Sequence, residues 1–512
     1  MRRLILIFLL AASGCATAPP PVEPVRVVLV GTTDVHGWFN GRVENGVQRG
    51  GVAILASYVE ALRAASGDNV VLVDSGDMFQ GTLESNLFEG EPVVRAYNAL
   101  GYAAAAVGNH EFDYGPVGPR VTVTSPQEDE LGALKQVSAI AEFPLLAANM
   151  VERDTGRTPS WAKRYTMVDV DSAKIGIIGL ATPDTPNVTL EQNVRSLVFT
   201  DPLPATIDAA RELRAMGADA IVVIAHMGGR CKALDNPNDP SSCEENHEAN
   251  ALLRALPPDT VDVYFAGHTH SQMRHFINGV ATAQSAAYSN EFSTIEIWVD
   301  PRASRVLDER TVIRPPTPLT LRPETFEGRA IERDARLQQV IEPFLAQVAV
   351  KRNEPLGITT TAAFERSNWS EAALGNLFAD ALREWSGADV GIMNSGGIRS
   401  DLRAGDLIYA DVFEVSPFDN YPTVVTMTGQ QLIDAIEVTS GGGRAIMQVS
   451  GIRYTIDRSL PSGERVTSVT LANGDPIDPA KLYKVVMPDF LAFGGDGMAP
   501  VTKTIPAERM VT

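Results

Sequence analysis

The chain has 512 residues, 44% of them hydrophobic and 21% charged, which excludes a disordered tail or a membrane-embedded protein and is too long for one hydrophobic core. Two domains are expected. With 63 acidic against 43 basic residues the formal charge is −20, which argues against a long polyanion as partner, so neither nucleic acid nor an anionic membrane surface is expected. A small anionic substrate remains compatible, because a bound metal reverses the local field.

The amino end opens with Met1, Arg2 and Arg3, continues with an apolar run over residues 4–12 and closes on Ser13-Gly14-Cys15. This is the layout of a signal peptide over residues 1–14, and it is too short to span a bilayer. Small residues ending directly in Cys15 resemble the lipobox of bacterial lipoproteins, which implies lipidation of Cys15 as the first mature residue and, with Ala16 next, outer-membrane sorting. The alternative is an ordinary signal peptide. Residues 15–24, rich in proline, then read as an extended tether, so the membrane is a partner only through the lipid.

Over residues 25–312, short β-branched and apolar runs alternate with amphipathic stretches, the α/β signature. The residues just past the end of each run carry the chemistry. Strand-like residues 25–30 lead to Asp34 and His36, 70–73 to Asp74 and Asp77, and 103–107 to Asn109 and His110. Residues 221–225 lead to His226, and 261–266 to His268 and His270. Such positions gather at the edge of a sheet where ligands bind in α/β folds. Of seven histidines only His247 and His275 stand elsewhere.

Cys231 and Cys243 bracket a polar, turn-rich insertion, and in an exported chain they most simply form one disulfide, contributing about 3 kcal/mol in the chain-entropy model. Two free thiols or metal ligands are the alternatives. A second insertion covers residues 115–132, and both begin beside the metal-type residues, where they either cap the site or are inert surface. Residues 313–355 read as a proline-rich linker and a connecting helix with Ile331, Leu337, Val340, Ile341, Phe344, Leu345 and Val348 on one face. Residues 356–512 form the second domain, with a helix over 371–385 and short strands at 466–471 and 483–487.

Asp34 and His36 are separated by one position, as are His268 and His270, so on extended backbone each pair leaves on one side. Together with Asp77, Asn109 and His226 they are more ligands than one ion needs and suit two divalent ions. Mixed imidazole and oxygen ligation fits Zn, Mn, Co or Fe.

In their order, Asp34-x-His36, Gly76-Asp77, Gly108-Asn109-His110-Glu111-Phe112-Asp113, His226 and Gly267-His268-Thr269-His270 resemble the motifs of calcineurin-like metallophosphoesterases. Joined to Asn394-Ser395-Gly396-Gly397-Ile398-Arg399, they resemble the bacterial two-domain 5′-nucleotidases and UDP-sugar hydrolases. That resemblance implies a four-layer α/β/β/α metallophosphoesterase domain followed by a smaller α+β substrate-binding domain. It implies one metal on Asp34, His36, Asp77 and His270 and a second on Asp77, Asn109, His226 and His268, with Asp77 bridging. His270 stands where many 5′-nucleotidases have glutamine.

By the same resemblance His110 and Asp113 form a catalytic pair, an imidazole beside the phosphoryl group oriented by a carboxylate. Asn394, Gly396, Gly397 and Arg399 would meet an anionic ligand, Phe418 and Phe490 would sandwich a nucleobase, and Asp496 would touch the ribose. A family arginine before Leu374-Gly375-Asn376 has Arg366 as its nearest candidate, at a different spacing, and Asp419 replaces a glycine after Phe418. The function implied is release of phosphate from nucleoside 5′-monophosphates, with UDP-sugars and 2′,3′-cyclic nucleotides as further substrates. The competing readings are a thiosulfohydrolase-like enzyme on a non-nucleotide anion and a catalytically silent surface nucleotide-binding protein.

Overall fold

The computed structural model describes residues 23–512 apart from 45, 124, 126, 323–324 and 442–444. The expected signal peptide, Cys15 and most of the expected tether lie outside the described residues.

The apolar runs form strands close to their expected bounds. Val25–Thr32, Val70–Asp74, Tyr102–Ala106 and Leu145–Leu146 pair in parallel in that order, and Glu291–Asp300 adds antiparallel to the outer side of Val25–Thr32. In the second sheet, Ala220–His226 lies between Ala173–Ala181 and Val263–Ala266, parallel to both, with antiparallel edges at Tyr165–Val170 and Met273–Ile277. These strands are apolar on both faces because both faces are covered. Leu29, Val71, Ile177 and Ile224 interlock between the two sheets. On the far side of the first sheet, helices Val52–Ser66 and Glu91–Leu100 bury Tyr58, Leu62, Val93 and Tyr97. On the far side of the second, Pro202–Ala215 and Glu248–Ala255 bury Leu213 and Leu253. The result is helix, sheet, sheet, helix, the four layers that the family resemblance implies.

The second domain is built on a five-stranded sheet in the order Met447–Ser450, Val390–Asn394, Leu482–Pro488, Pro422–Thr428, Met510–Val511. Helix Ala373–Ser386 packs on it, starting two residues later than expected, and Gly429–Ile436 begins at a capping box of Thr428 and Gln431.

One segment differs from its sequence reading. The proline-rich stretch after residue 312 is not a free linker. Val312–Ile313 and Thr317–Pro318 pair with Glu291–Asp300, and Leu319 is buried, its N–H donating to the Asn290 carbonyl at 2.7 Å. Prolines are tolerated because each pairing is only two residues long and lies at an edge. The connecting helix, Ala335–Arg352, is capped by Asp334 and buries Leu337, Ile341 and Val348. Phe344 meets Phe88 edge to face at 4.9 Å, whereas Ile331 precedes the helix and is buried all the same. Cys231 and Cys243 are joined in a disulfide. Among the described residues no helix is long and apolar enough to cross a membrane.

Candidate dinuclear metal centre and substrate cavity

The strand ends deliver the metal-type residues to one place. Atoms of Asp34, His36, Asp77 and His270 lie within 4.8 Å of one another, and so do atoms of Asp77, His226 and His268. Asp77 is common to both groups. The Asn109 Oδ1 completes the second group at 3.1 Å from His226 Nε2, its amide turned by a hydrogen bond from Nδ2 to the Val188 carbonyl. Asp34, His36, Asp77, Asn109 and His226 are all buried.

Ring tautomers are set from behind. His36 Nδ1 meets the Gln80 carbonyl at 2.9 Å and His226 Nδ1 meets the Ser75 carbonyl at 2.9 Å, so each ring donates outward and turns the Nε2 lone pair inward. The inward nitrogens then face each other, His36 Nε2 to His270 Nε2 at 3.0 Å and His226 Nε2 to His268 Nδ1 at 3.2 Å. Acceptor facing acceptor is a poor arrangement alone and a good one for cations.

The charges agree. Burial opposes ionisation of Asp34 and Asp77, but neighbouring imidazoles outweigh it and hold both carboxyls well below their usual range. Burial, reinforced by His226, pushes His268 down to about 4, while burial and Arg399 lower His36. His226 goes the other way, to about 10, because Asp77 and Asp34 outweigh its burial, so without a cation its Nε2 carries a proton that a bound ion would displace. A buried centre with two ionised carboxylates therefore demands positive charge, and two divalent ions on these seven residues fit that demand.

The backbone is strained where the ligands sit. Asp34, His36, Asp77, His268 and His270 all have positive φ, between 49° and 74°, a region that non-glycine residues rarely occupy. Glycines make room around them. A Cβ on Gly108 would come within 2.3 Å of Asp77 Oδ1, and one on Gly267 within 2.4 Å of Thr33 Oγ1. Glu111, whose role sequence reading did not assign, holds two ligand loops together, its carboxylate accepting from the N–H groups of Asp77, Met78 and Gly108 at 2.6–2.9 Å. Asp74, a ligand-type residue by sequence, does not enter the cluster. It accepts from Gly76 N, Thr32 Oγ1 and Tyr97 OH and shapes the turn that carries Asp77.

His110 lies beside the cluster rather than in it. Its Nδ1 meets Asp113 Oδ2 at 2.5 Å, which leaves Nε2 for the cavity, and its backbone N–H donates to Asp77 Oδ1. Burial alone would lower the His110 pKa, but the carboxylates of Asp113 and Asp77 raise it. The other Asp113 oxygen accepts from Thr189 Oγ1 at 2.9 Å. Thr189 comes from a distant turn and no local pattern marks it.

Cluster and pair open into a cavity of about 540 Å³ between the two domains. Asn394, Gly396, Gly397, Arg399, Phe418, Phe490, Asp496 and Arg366 all line it, so every substrate-type residue expected from the sequence reaches one space. Arg399 comes within 3.2 Å of His36 Nε2 and lies over Phe418 and Tyr288. Tyr288, also unforeseen, packs against His36 and His270 at ring distances of 5.4 and 5.2 Å. Arg366 donates to the Ile398 carbonyl and to Asn368 Oδ1. Asn394 donates to Asp496 at 2.8 Å, while its Oδ1 is buried with no partner among the described residues. The first insertion reaches the cavity, and the second is entered from a residue that does. Val121 lines it from the first, its carbonyl held by Asn193, and Arg230 lines it at the base of the disulfide loop. Across the domain junction, the Pro417 carbonyl accepts from Gln80 Nε2 at 2.7 Å and from Asn86 Nδ2 at 2.9 Å.

Residues 27–272 match the model for calcineurin-like phosphoesterases, and residues 348–504 match that for the 5′-nucleotidase C-terminal domain. The chain belongs to the two-domain 5′-nucleotidase family. A cell wall protein of Listeria monocytogenes is 27% identical over 95% of this chain, which spans 66% of that relative's length. A 5′-nucleotidase of Vibrio cholerae is 26% identical, covering 96% of this chain and 89% of its own. The crystal structure of a 5′-nucleotidase precursor from Thermus thermophilus superposes with a TM-score of 0.77 at 27% identity, covering 93% of this chain and 92% of that one. Members of this family thus share the whole two-domain frame with the chain.

Proposed function

We propose that the chain is a dinuclear-metal phosphohydrolase that releases phosphate from nucleoside 5′-monophosphates. The observation that carries the reading is the His110–Asp113 pair placed beside two metal-type clusters that share Asp77, all opening on one cavity with Phe418 and Phe490. One ion would be held by Asp34, His36, Asp77 and His270, the other by Asp77, Asn109, His226 and His268. Bound ions of the Zn, Mn, Co or Fe type supply charge against phosphoryl oxygens and make an attacking water more acidic.

The protein's own groups do the rest. Arg399 reaches the cluster from the second domain and neutralises the phosphate as it enters. His110, whose protonated form Asp113 and Asp77 favour against its burial, donates from Nε2 to the developing charge or to the leaving oxygen. Phe418 and Phe490 stack the base, and Asp496, oriented by Asn394, meets the ribose hydroxyls. UDP-sugars and 2′,3′-cyclic nucleotides are further candidates for the same cavity. Residues 25–312 and 356–512 divide this labour, with 313–355 joining them. We place the protein outside the cytoplasm, held by a lipid on Cys15.

The test is phosphate release from AMP by the purified protein supplied with Mn, Co or Zn. Activity that EDTA abolishes and metal restores is expected. A folded, metal-loaded sample inactive on every nucleotide, or activity surviving full metal removal, overturns the reading.

A further inference from the structure

Arg230 has an unmet demand. It lines the cavity at the end of residues 226–230, which begin at the metal-type His226, and its Nε is buried with no hydrogen-bond acceptor among the described residues. No ion pair among the described residues includes it. Arg366 and Arg399, which line the cavity from the second domain, differ, since each donates to a backbone carbonyl. In a chain of charge −20, a half-buried guanidinium without a carboxylate is a site that an anion completes.

Its backbone is fixed on both sides. The Gly229 carbonyl accepts from Thr269 Oγ1, between His268 and His270, at 2.9 Å. The Arg230 carbonyl accepts from Glu244 N at 2.9 Å, and the next residue, Cys231, is bonded to Cys243. The guanidinium lies 5.4 Å from the Trp369 ring of the second domain, whose ring also carries Arg458 at 5.6 Å. Three guanidiniums therefore line one cavity: Arg399 within 3.2 Å of His36, Arg366 donating to the Ile398 carbonyl next to Arg399, and Arg230 over Trp369, three residues on from Arg366. The cluster and Arg399 serve the phosphoryl group under attack. Arg230 is left for a second one, whose oxygens its planar fork matches.

We propose that Arg230 is a specificity-determining residue that binds a second phosphoryl group, so that nucleotides carrying a phosphoanhydride are preferred substrates of this site. The inference rests on the phosphohydrolase reading of the same cavity. Its test compares AMP with ADP on the metal-loaded full-length protein, and adds calorimetric binding of the ADP analogue whose bridging oxygen is a methylene. Arg230→Ala is expected to lower the ratio of kcat/KM for ADP to that for AMP by about tenfold or more, and to weaken analogue binding by a similar factor. Arg230→Lys, which keeps the charge without the fork, is expected to fall between; it also supplies the reading if the alanine variant does not fold. Equal losses on AMP and ADP, or none, overturn the proposal. If the wild type hydrolyses neither nucleotide, the phosphohydrolase reading fails by itself. Calorimetry then decides on Arg230, since equal affinity of wild type and variant for the analogue overturns its role.

Discussion

Replacing Thr189 by valine removes one hydroxyl and almost no volume, and its effect measures whether Asp113 acts as an orienting group for His110. The hydroxyl donates to Asp113 Oδ1 at 2.9 Å while Oδ2 holds His110 Nδ1 at 2.5 Å, so the carboxylate is fixed at both oxygens. Thr189 is buried, and its backbone N–H bonds to the Thr185 carbonyl, a contact the substitution leaves in place. A hydrogen bond to a charged acceptor, part of it recovered by water, is worth about 1–2 kcal/mol here, which corresponds to about 5- to 30-fold in rate. The loss is expected in kcat, with KM and the denaturation midpoint close to wild type. The decisive assay is a double-mutant cycle with Asp113→Ala. Because Thr189 works only through Asp113, adding Thr189→Val to Asp113→Ala should change kcat by less than about twofold. Additive losses in the cycle would refute the reasoning, for they would mean that Thr189 acts on the reaction by another route.

Three further outcomes are expected from the same contacts. His110→Ala should abolish turnover while the purified variant keeps the wild-type metal content by elemental analysis, since His110 lies outside both ligand groups; loss of metal would make it a ligand. Gly495→Ala should weaken AMP binding, because a Cβ there falls 2.4 Å from the Phe490 ring and displaces it; an unchanged KM for AMP would remove Phe490 from the base site. Glu414, which shares Arg352 with Glu84, is pushed up to about 7, mainly by burial. Its folded pKa is above its unfolded one, so the folded state holds the extra proton and stability falls as pH rises from about 4.5 to 7. Glu414→Gln should flatten the urea midpoint over that interval relative to wild type, and an unaltered slope would contradict the assignment.

The metal-type residues were legible because each follows a strand and parallel strands end together, so local position stands in for three-dimensional position. Cys231 and Cys243 were legible for a similar reason, being close in sequence. Asp74 shows the limit of that logic. It shares a strand end with Asp77, but Thr32 and Tyr97 supply donors that turn it into a turn support. The positive φ of Asp34, His36, Asp77, His268 and His270 leaves no mark in sequence, since only glycine advertises that conformation. Thr189 and Arg230 reach the cavity, and Tyr288 reaches His36 and His270, through long-range topology, and none of the three carries a spacing signal. The stretch after residue 312 misled because prolines mark a break in periodicity, while what decides docking there is a free edge of Glu291–Asp300 and the burial of Leu319.

The central claim is a dinuclear centre bridged by Asp77, and anomalous diffraction from crystals of the Mn-loaded protein addresses it most directly. Two peaks flanking the Asp77 carboxylate are expected, about 3.5–4 Å apart, one beside His36 and His270 and the other beside His226 and His268. A single peak, or ions bound away from Asp77, would contradict the account.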